Sequence, residues 1–349
     1  MQNREDGKPA VEPAGRITFL VHKGKEYTVE KYLRSWGRNL AVPVRVRNYP
    51  GIRSTARKPW KRLEQALRGW KVGALAGPPG PPGTPQIYVL TDIDRLDRRE
   101  TETARALRRR LAADPDTADV LNHPRRSMRR FELLDTLNRR GINRFAVYRA
   151  DEDPRPRSWP VFVRGEGEHG GQSPLLGSPA ELERHLAALA SRRGGLAGKV
   201  VIEFFDAAGE DGVIRKYGAF RVGGRILARQ IHFSRRWVVR FPDIREPATA
   251  AEELAYVESN PHRRELAEIF SLARIDYGRC DYSVVGGRIQ VWEINTNPMI
   301  LIPKDREDPL RAAAHDAFGR AFNAALEELA ASRRPTSGHR PTAGSPPRR

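Results

Sequence analysis

The chain has 349 residues, with Lys+Arg 62 against Asp+Glu 43, a formal net charge of +19 and a hydrophobic fraction of 39%. That length suits two or three packed lobes, and no stretch approaches the roughly 20 apolar residues that span a bilayer. The charged N-terminus Met1-Gln2-Asn3-Arg4-Glu5-Asp6 has no signal-peptide core, and the single cysteine, Cys280, excludes an intrachain disulfide framework and a multi-cysteine zinc site. A soluble, cytoplasmic protein is the expectation. Clustered basic charge would suit a phosphate backbone, but here the excess is mostly arginine and is spread through most of the chain. Dedicated nucleic-acid binding is therefore not expected, and phosphate-bearing small ligands account for part of the charge.

In chain order, residues 1–16 are polar and Pro/Gly-containing and are expected to be disordered. Ile17 to Val21 reads as a strand, Val29 to Leu40 as an amphipathic helix and Val42 to Arg47 as a second strand. Trp60, Leu63, Leu67 and Trp70 suggest a short helix, and Gly77 to Gly83 a low-complexity loop insertion. Strand Gln86–Thr91, helix Asp97–Ala113 and strand Val120–Asn122 follow, so residues 17–120 read as a small α/β domain. The pattern is helical from Ser127 to Arg139 and extended at Phe145–Tyr148 and Trp159–Arg164. A glycine-rich loop, Gly165 to Gly171, then precedes a helix over Glu181–Ser191 and a strand over Lys199–Phe205. Strands Ile214–Val222 and Arg225–Ile231 flank Gly223-Gly224. Helical pattern covers Ala251–Leu272 with a break at Asn260-Pro261, and a long helix runs from Pro309 to Ala331. Residues 333–349 read as a disordered basic tail.

Between the last two helical stretches lies a hairpin with chemistry on it. Asp281–Val285 and Arg288–Ile294 are strands, and Gly286-Gly287 is the turn. Side chains alternate along a strand, so Glu293 and Asn295 share a face, and Asp281 on the paired strand can face them. Two carboxylates and an amide oxygen are hard donors of the kind that suit Mg²⁺ bound together with substrate phosphates. A surface hairpin with solvated charges fits the same residues.

The order of motifs resembles the ATP-grasp superfamily, in the style of D-alanine–D-alanine ligase and related carboxylate–amine ligases. The likeness covers roughly residues 120–331 and rests on four stretches: Arg279-Cys280-Asp281-Tyr282 with Glu293 to Pro298, Ser127 to Arg130, Pro160 to Arg164 with the glycine-rich loop, and Val201 to Phe205. The resemblance implies an α/β fold with ATP held between two lobes: a small lobe over 121–205 and a C-terminal lobe with the hairpin over 206–332, preceded by the 17–120 domain. It implies ATP and Mg²⁺ (or Mn²⁺) as cofactors, with Asp281, Glu293 and Asn295 as ligands of two metal ions on the ATP phosphates and Arg279 as the catalytic cation at the transferred phosphate. Phosphate contacts fall on Arg130 and Arg164, where the family has lysines, and on the loop glycines Gly167 and Gly170. The adenine edge falls to Glu203, Phe204 and Phe205. For the acidic ribose ligand, Glu210 or Asp211 is available, although Arg215-Lys216 stands at the aligned place. His169, Lys216-Tyr217 and Trp237 are left without a role.

By this likeness, an ATP- and Mg²⁺-dependent carboxylate–amine or carboxylate–thiol ligase is expected, acting through an acyl phosphate on a small-molecule or peptide substrate that carries a carboxylate. A phosphotransferase on a hydroxylated substrate would use the same ATP site, and a non-catalytic nucleotide- or nucleic-acid-binding protein is a third reading. Many relatives form homodimers.

Overall fold

The computed structural model describes residues 15–52, 84–167, 171–192 and 194–332. The short helix expected around Trp60–Trp70, the Gly77–Gly83 insertion, Gly170, His169 and both chain ends lie outside the described residues. The architecture is mixed α/β, built on one parallel and two antiparallel sheets.

The parallel sheet carries the first lobe. Its order is β2-β1-β3-β4, from Val44–Asn48, Arg16–Val21, Gln86–Leu90 and Thr117–Leu121. β1 is central, and all six of its residues are buried, as expected of a strand covered on both faces. The connecting helix α1 (Tyr27–Leu33) is shorter than the periodicity predicts and gives way to a 3₁₀ turn at Trp36–Asn39. Ser35 accounts for the break, because its hydroxyl donates to the Lys31 and Tyr32 carbonyls and competes with the helical ladder. Helix α2 (Arg98–Ala112) starts on a reciprocal cap in which Asp97 accepts from the Glu100 N–H and Glu100 accepts from the Asp97 N–H.

The second lobe opens with α3 (Arg130–Arg139), three residues later than the sequence pattern suggests. Arg129 is extended (φ −82°, ψ 175°) and its N–H is taken by the Glu132 carboxylate, so Arg130 is the first helical residue; Met128 N–H and the Ser127 hydroxyl donate to the carbonyls of Ala273 and Arg274. Strands β5 (Val147–Arg149), β6 (Val161–Gly165) and β7 (Lys199–Glu203) form an antiparallel sheet in the order β5-β7-β6, with α4 (Pro179–Ala190) beside it. The third sheet, β11-β10-β8-β9, is also antiparallel. It contains β8 (Ile214–Val222), β9 (Arg225–Ser234), β10 (Tyr277–Val285) and β11 (Arg288–Asn295). Helices α5 (Pro247–Ser259) and α6 (Arg263–Ala273) are separate, divided at Asn260, which adopts a left-handed conformation with φ 45°.

The last helix, α7 (Ala312–Ser332), ties the first sheet to the third. Phe318 and Phe322 are fully buried and meet Phe220 of β8 at ring distances of 5.4 Å, while Phe322 also packs edge-on against Tyr32 of α1. The residue between them on this face, Gly319, has no room for a side chain: a Cβ there would lie 2.3 Å from the Trp36 ring. That ring is pinned, since Trp36 Nε1–H donates to Asp316 at 2.6 Å and the Trp36 carbonyl accepts from Asn323. Gly319→Ala is expected to destabilise the protein by about 1–3 kcal/mol through overpacking, despite the better helix propensity of alanine. Chemical denaturation checks this, and an unchanged midpoint would show that the Trp36 ring is free to move aside.

Candidate active site

The hairpin is where local sequence and tertiary placement agree. Gly286 and Gly287 have φ 56° and 71°, the pair of positive values that a tight hairpin turn needs. The register sets Asp281 opposite Glu293 and Arg279 opposite Asn295, with an irregularity between Asp281 and Tyr282 that leaves Trp292 as the extra residue. All four polar side chains therefore belong to one face. Cys280 points the other way and is fully buried in the core between the hairpin and α6.

This face forms one wall of a cavity of about 470 Å³ between the second and third sheets. Arg279, Asp281, Glu293 and Asn295 line it from the hairpin. Arg164 and Phe162 come from β6, Glu203 to Phe205 from the end of β7, and Trp237 to Phe241 from the segment after β9. The cavity has two chemical ends. One is aromatic: Trp237 lies 5.3 Å from the Phe162 ring and meets Phe204 edge-on at 5.8 Å. The other is charged.

At the charged end, Asp281 is 2% exposed. Arg279 Nε donates to its Oδ1 at 2.6 Å, and Lys216 Nζ stands 3.4 Å from its Oδ2. Burial pushes the Asp281 carboxyl up, but Arg279 and Lys216 outweigh it and hold the group well below the usual carboxylate range. Glu293 is paired with Arg130, whose guanidinium also donates to the carbonyls of Gly165 and Glu166. Arg130 thus stands behind Glu293 and braces the glycine-rich loop, while Arg164 reaches the cavity itself. Gly167 in that loop lies so close to the first lobe that a Cβ would fall 2.5 Å from the Asp94 carbonyl oxygen. Asn295 accepts the Asn297 N–H at 2.8 Å.

The end of the hairpin is clamped onto the first lobe at the carboxyl ends of β1 and β3. Asn297 donates to Asp92 and accepts from Thr28, and Thr296 accepts from the Ile93 N–H and donates to Asp94. Asp92 is fully buried, which pushes its carboxyl up to about 6, and it also accepts the His22 N–H. The sequence shows Asp92-Ile93-Asp94 only as the residues that follow a strand, because the hairpin partners that give them their role lie about two hundred positions away.

The remaining sequence-predicted residues divide. Phe204 and Phe205 line the cavity, and the Phe204 N–H is taken by the Pro160 carbonyl. Glu203 also borders it, but its carboxylate accepts from Ala146 N–H, the Tyr148 hydroxyl, Arg157 N–H and Ser158 N–H. It acts as a strap that holds the 157–158 segment to β7. Glu203→Ala is expected to cost at least about 3 kcal/mol by stranding these donors, with Glu203→Gln milder. Denaturant melts that place the two variants level would remove the strap from the account. Glu210 and Asp211 are exposed and outside the cavity lining, and Asp211 is paired with Arg215 at 2.9 Å.

The structure adds two residues to which the sequence assigns no role. Trp237 forms the aromatic wall. Lys216, on β8, lines the cavity and donates to the Val239 carbonyl at 2.7 Å. Opposite Lys216 in register is His232, which burial, and then the charges of Lys216, Arg311 and Arg279, push down to about 2. Its folded value lies below the unfolded one, so His232 contributes stability that is complete above about 6.5 and is lost as pH falls through that value toward 2. The wild-type chain should therefore lose up to about 1.4 kcal/mol per pH unit from this group below its unfolded value, a slope absent from His232→Asn. Urea unfolding near neutral pH and about two units lower measures it, and equal slopes would refute it.

Fold and site together define a mixed α/β protein with a cleft between its two antiparallel sheets, lined at one end by Arg164, Lys216 and Arg279. No family model matches the chain, and no curated protein does. Solved structures do match. A D-alanine–D-alanine ligase from Bacillus anthracis complexed with ATP aligns at 15% identity over 90% of this chain and 99% of its own, with a TM-score of 0.45. The Helicobacter pylori D-alanine–D-alanine ligase aligns at 12% identity over 92% and 100%, with a TM-score of 0.47. A RimK domain ATP-grasp protein from Sphaerobacter thermophilus aligns at 14% over 87% and 98%, with a TM-score of 0.41. At these values, function has to be argued from the residues of the chain itself.

Proposed function

We propose that this chain is a divergent ATP-grasp ligase that uses ATP and Mg²⁺ to join a carboxylate substrate to an amine or thiol through an acyl phosphate. The observation that carries this reading is the two-ended cavity: an aromatic wall of Phe162, Phe204 and Trp237 that suits a planar base, and a charged end of Arg164, Lys216, Arg279, Asp281, Glu293 and Asn295 that suits a metal-bound polyphosphate. Three oxygen donors side by side in register fit Mg²⁺, which takes one or two protein carboxylates and completes its shell with phosphate and water. A divalent ion held by Asp281, Glu293 and Asn295 would neutralise phosphate charge.

The chain's own residues do the rest. Arg164, Lys216 and Arg279 direct N–H donors at the charged end, where a phosphoryl group passing from nucleotide to carboxylate accumulates negative charge. The carboxylate oxygen forms a bond to the terminal phosphorus as the bond to ADP breaks. The amine or thiol then bonds to the acyl carbon, phosphate leaves with the bonding pair, and the nucleophile releases a proton. Arg279, fixed by Asp281, is placed to meet the anionic charge of both steps. The test is product analysis across a panel of carboxylates, amines and thiols. ADP and free phosphate with a new amide or thioester support the ligase, a phosphorylated product would reassign the cleft to phosphotransfer, and no nucleotide turnover or binding would refute the reading.

A further inference from the structure

Gly218 stands in the middle of β8, opposite Asp281 of β10 on one side and Gln230 of β9 on the other. Its backbone is extended, so no positive φ calls for glycine there, and glycine inside a strand weakens it. What the missing side chain supplies is room. A Cβ at 218 would lie 3.2 Å from Gln230 Cγ and 3.4 Å from Arg279 Cδ. Arg279 thus lies over the bare Gly218 backbone before its Nε reaches Asp281 Oδ1 at 2.6 Å and its Nη2 reaches Oδ2 at 3.2 Å. The floor of this channel is held from the other face of the sheet. There the Gly218 carbonyl accepts the Tyr256 hydroxyl at 3.0 Å, and Tyr256 is buried beside Tyr217 and Tyr282. Gln230, 6% exposed, forms the side wall.

Resting on the function proposed above, we infer that Gly218 is a positioning residue for phosphoryl transfer: its bare backbone is the bed in which Arg279 lies, and that bed aims the guanidinium at the charged end of the cleft. Three features make the bed exacting. Arg279 is tethered at both ends, by its own strand and by Asp281, so its Cδ cannot swing aside as the free tip of a side chain would. Gly218 cannot drop away, because it is paired with a strand on each side and bonded to Tyr256 behind. Gln230 closes the remaining direction. A β-branched side chain at 218 projects one bond beyond Cβ, into the space that the Arg279 stem fills, and the guanidinium has to move. A cation displaced by even about 1 Å from developing charge loses much of its effect on the chemical step. Binding of the nucleotide has other support. Lys216 is held by the Val239 carbonyl rather than by this channel, Arg164 comes from β6, and the base has its aromatic wall. Loss of the bed therefore falls on turnover more than on affinity.

The experiment pairs substitutions at 218 and 279 in the whole chain. Turnover is read as ADP formation at saturating ATP and Mg²⁺ with the carboxylate and nucleophile found by product analysis, and affinity by labelled-ATP titration. Gly218→Val should lower turnover at least about ten-fold, with ATP affinity within about two-fold of wild type. Added to Arg279→Met, it should change the residual turnover by less than about two-fold, because the group it displaces is already gone. Gly218→Ala suits an extended backbone and adds a single carbon. It should show the same pattern with a smaller loss, and it carries the test if the valine variant does not fold. Additive losses at 218 and 279, full turnover in the folded 218 variants, or an affinity loss as large as the turnover loss would each overturn the inference while leaving the nucleotide site in place. A wild-type chain that binds no ATP and forms no ADP would instead overturn the functional reading on which it rests.

Discussion

Replacing Glu293 with alanine is expected to lower Mg²⁺-dependent ATP affinity by about 10–100-fold, a loss of the size seen when groups that orient a metal's ligands are removed. The same change should destabilise the protein, because Arg130, with a side chain only 4% exposed, loses its carboxylate partner. Breaking a buried pair from one side costs about 3–5 kcal/mol, and the retained bonds from Arg130 to Gly165 and Glu166 place this case at the lower end. Glu293→Gln separates the two effects. It keeps an acceptor for Arg130 and should regain most of the stability, yet it removes the charge that draws the metal and should not regain affinity. Labelled-ATP titrations with and without Mg²⁺, run beside denaturant melts, measure both quantities. Equal Mg²⁺-dependent binding by wild type and Glu293→Gln would remove the hairpin from the nucleotide site.

The second large effect is expected at Arg279. Arg279→Met keeps much of the side-chain volume but strips Asp281 of its closest cation, leaving Lys216 alone to balance a carboxylate that is 2% exposed. Stability should fall by about 3 kcal/mol, and turnover by about 10²–10³, the loss typical of removing one donor aimed at developing charge. The pH dependence supplies a sign. In wild type the Asp281 pKa is depressed, so its contribution to stability is present above the unfolded carboxylate value and is lost as pH falls through the folded one. Without Arg279 that depression shrinks, and the corresponding acid-side loss of stability should shrink with it. A variant with wild-type turnover would leave Arg279 as a structural partner of Asp281 and nothing more.

Much of the site was legible because its logic is local. Two glycines set the turn, alternation puts Glu293 and Asn295 on one face, and pairing brings Asp281 opposite. The same periodicity located most strands and the longer helices. What escaped depends on distant parts of the chain. Nothing near Lys216 reveals which face of β8 will meet the cavity, and nothing near Trp237 shows that it will pack between Phe162 and Phe204. The resemblance gives Arg130 a phosphate contact, and nothing near it in sequence reveals that its guanidinium meets Glu293 and two loop carbonyls from elsewhere in the chain. The resemblance gives Glu203 to the adenine edge, and nothing near it in sequence reveals that its carboxylate accepts four donors from a segment roughly fifty residues earlier. The helix boundary that shifted at Ser35 did so where a side-chain hydrogen bond competes with the helical ladder.

The helix that joins the first and third sheets also sets a timetable for synthesis. Phe19 and Tyr32 emerge from the ribosome nearly three hundred residues before Phe318 and Phe322, yet all four belong to one continuous core. Until those late residues arrive, the opening sheet has no permanent cover for part of its apolar surface. Contacts this far apart in sequence are slow to form, and partly covered intermediates of large chains are prone to associate. A nascent chain of this protein thus passes through a long interval in which its earliest strands depend on transient protection, and release from that dependence comes only with its final helix.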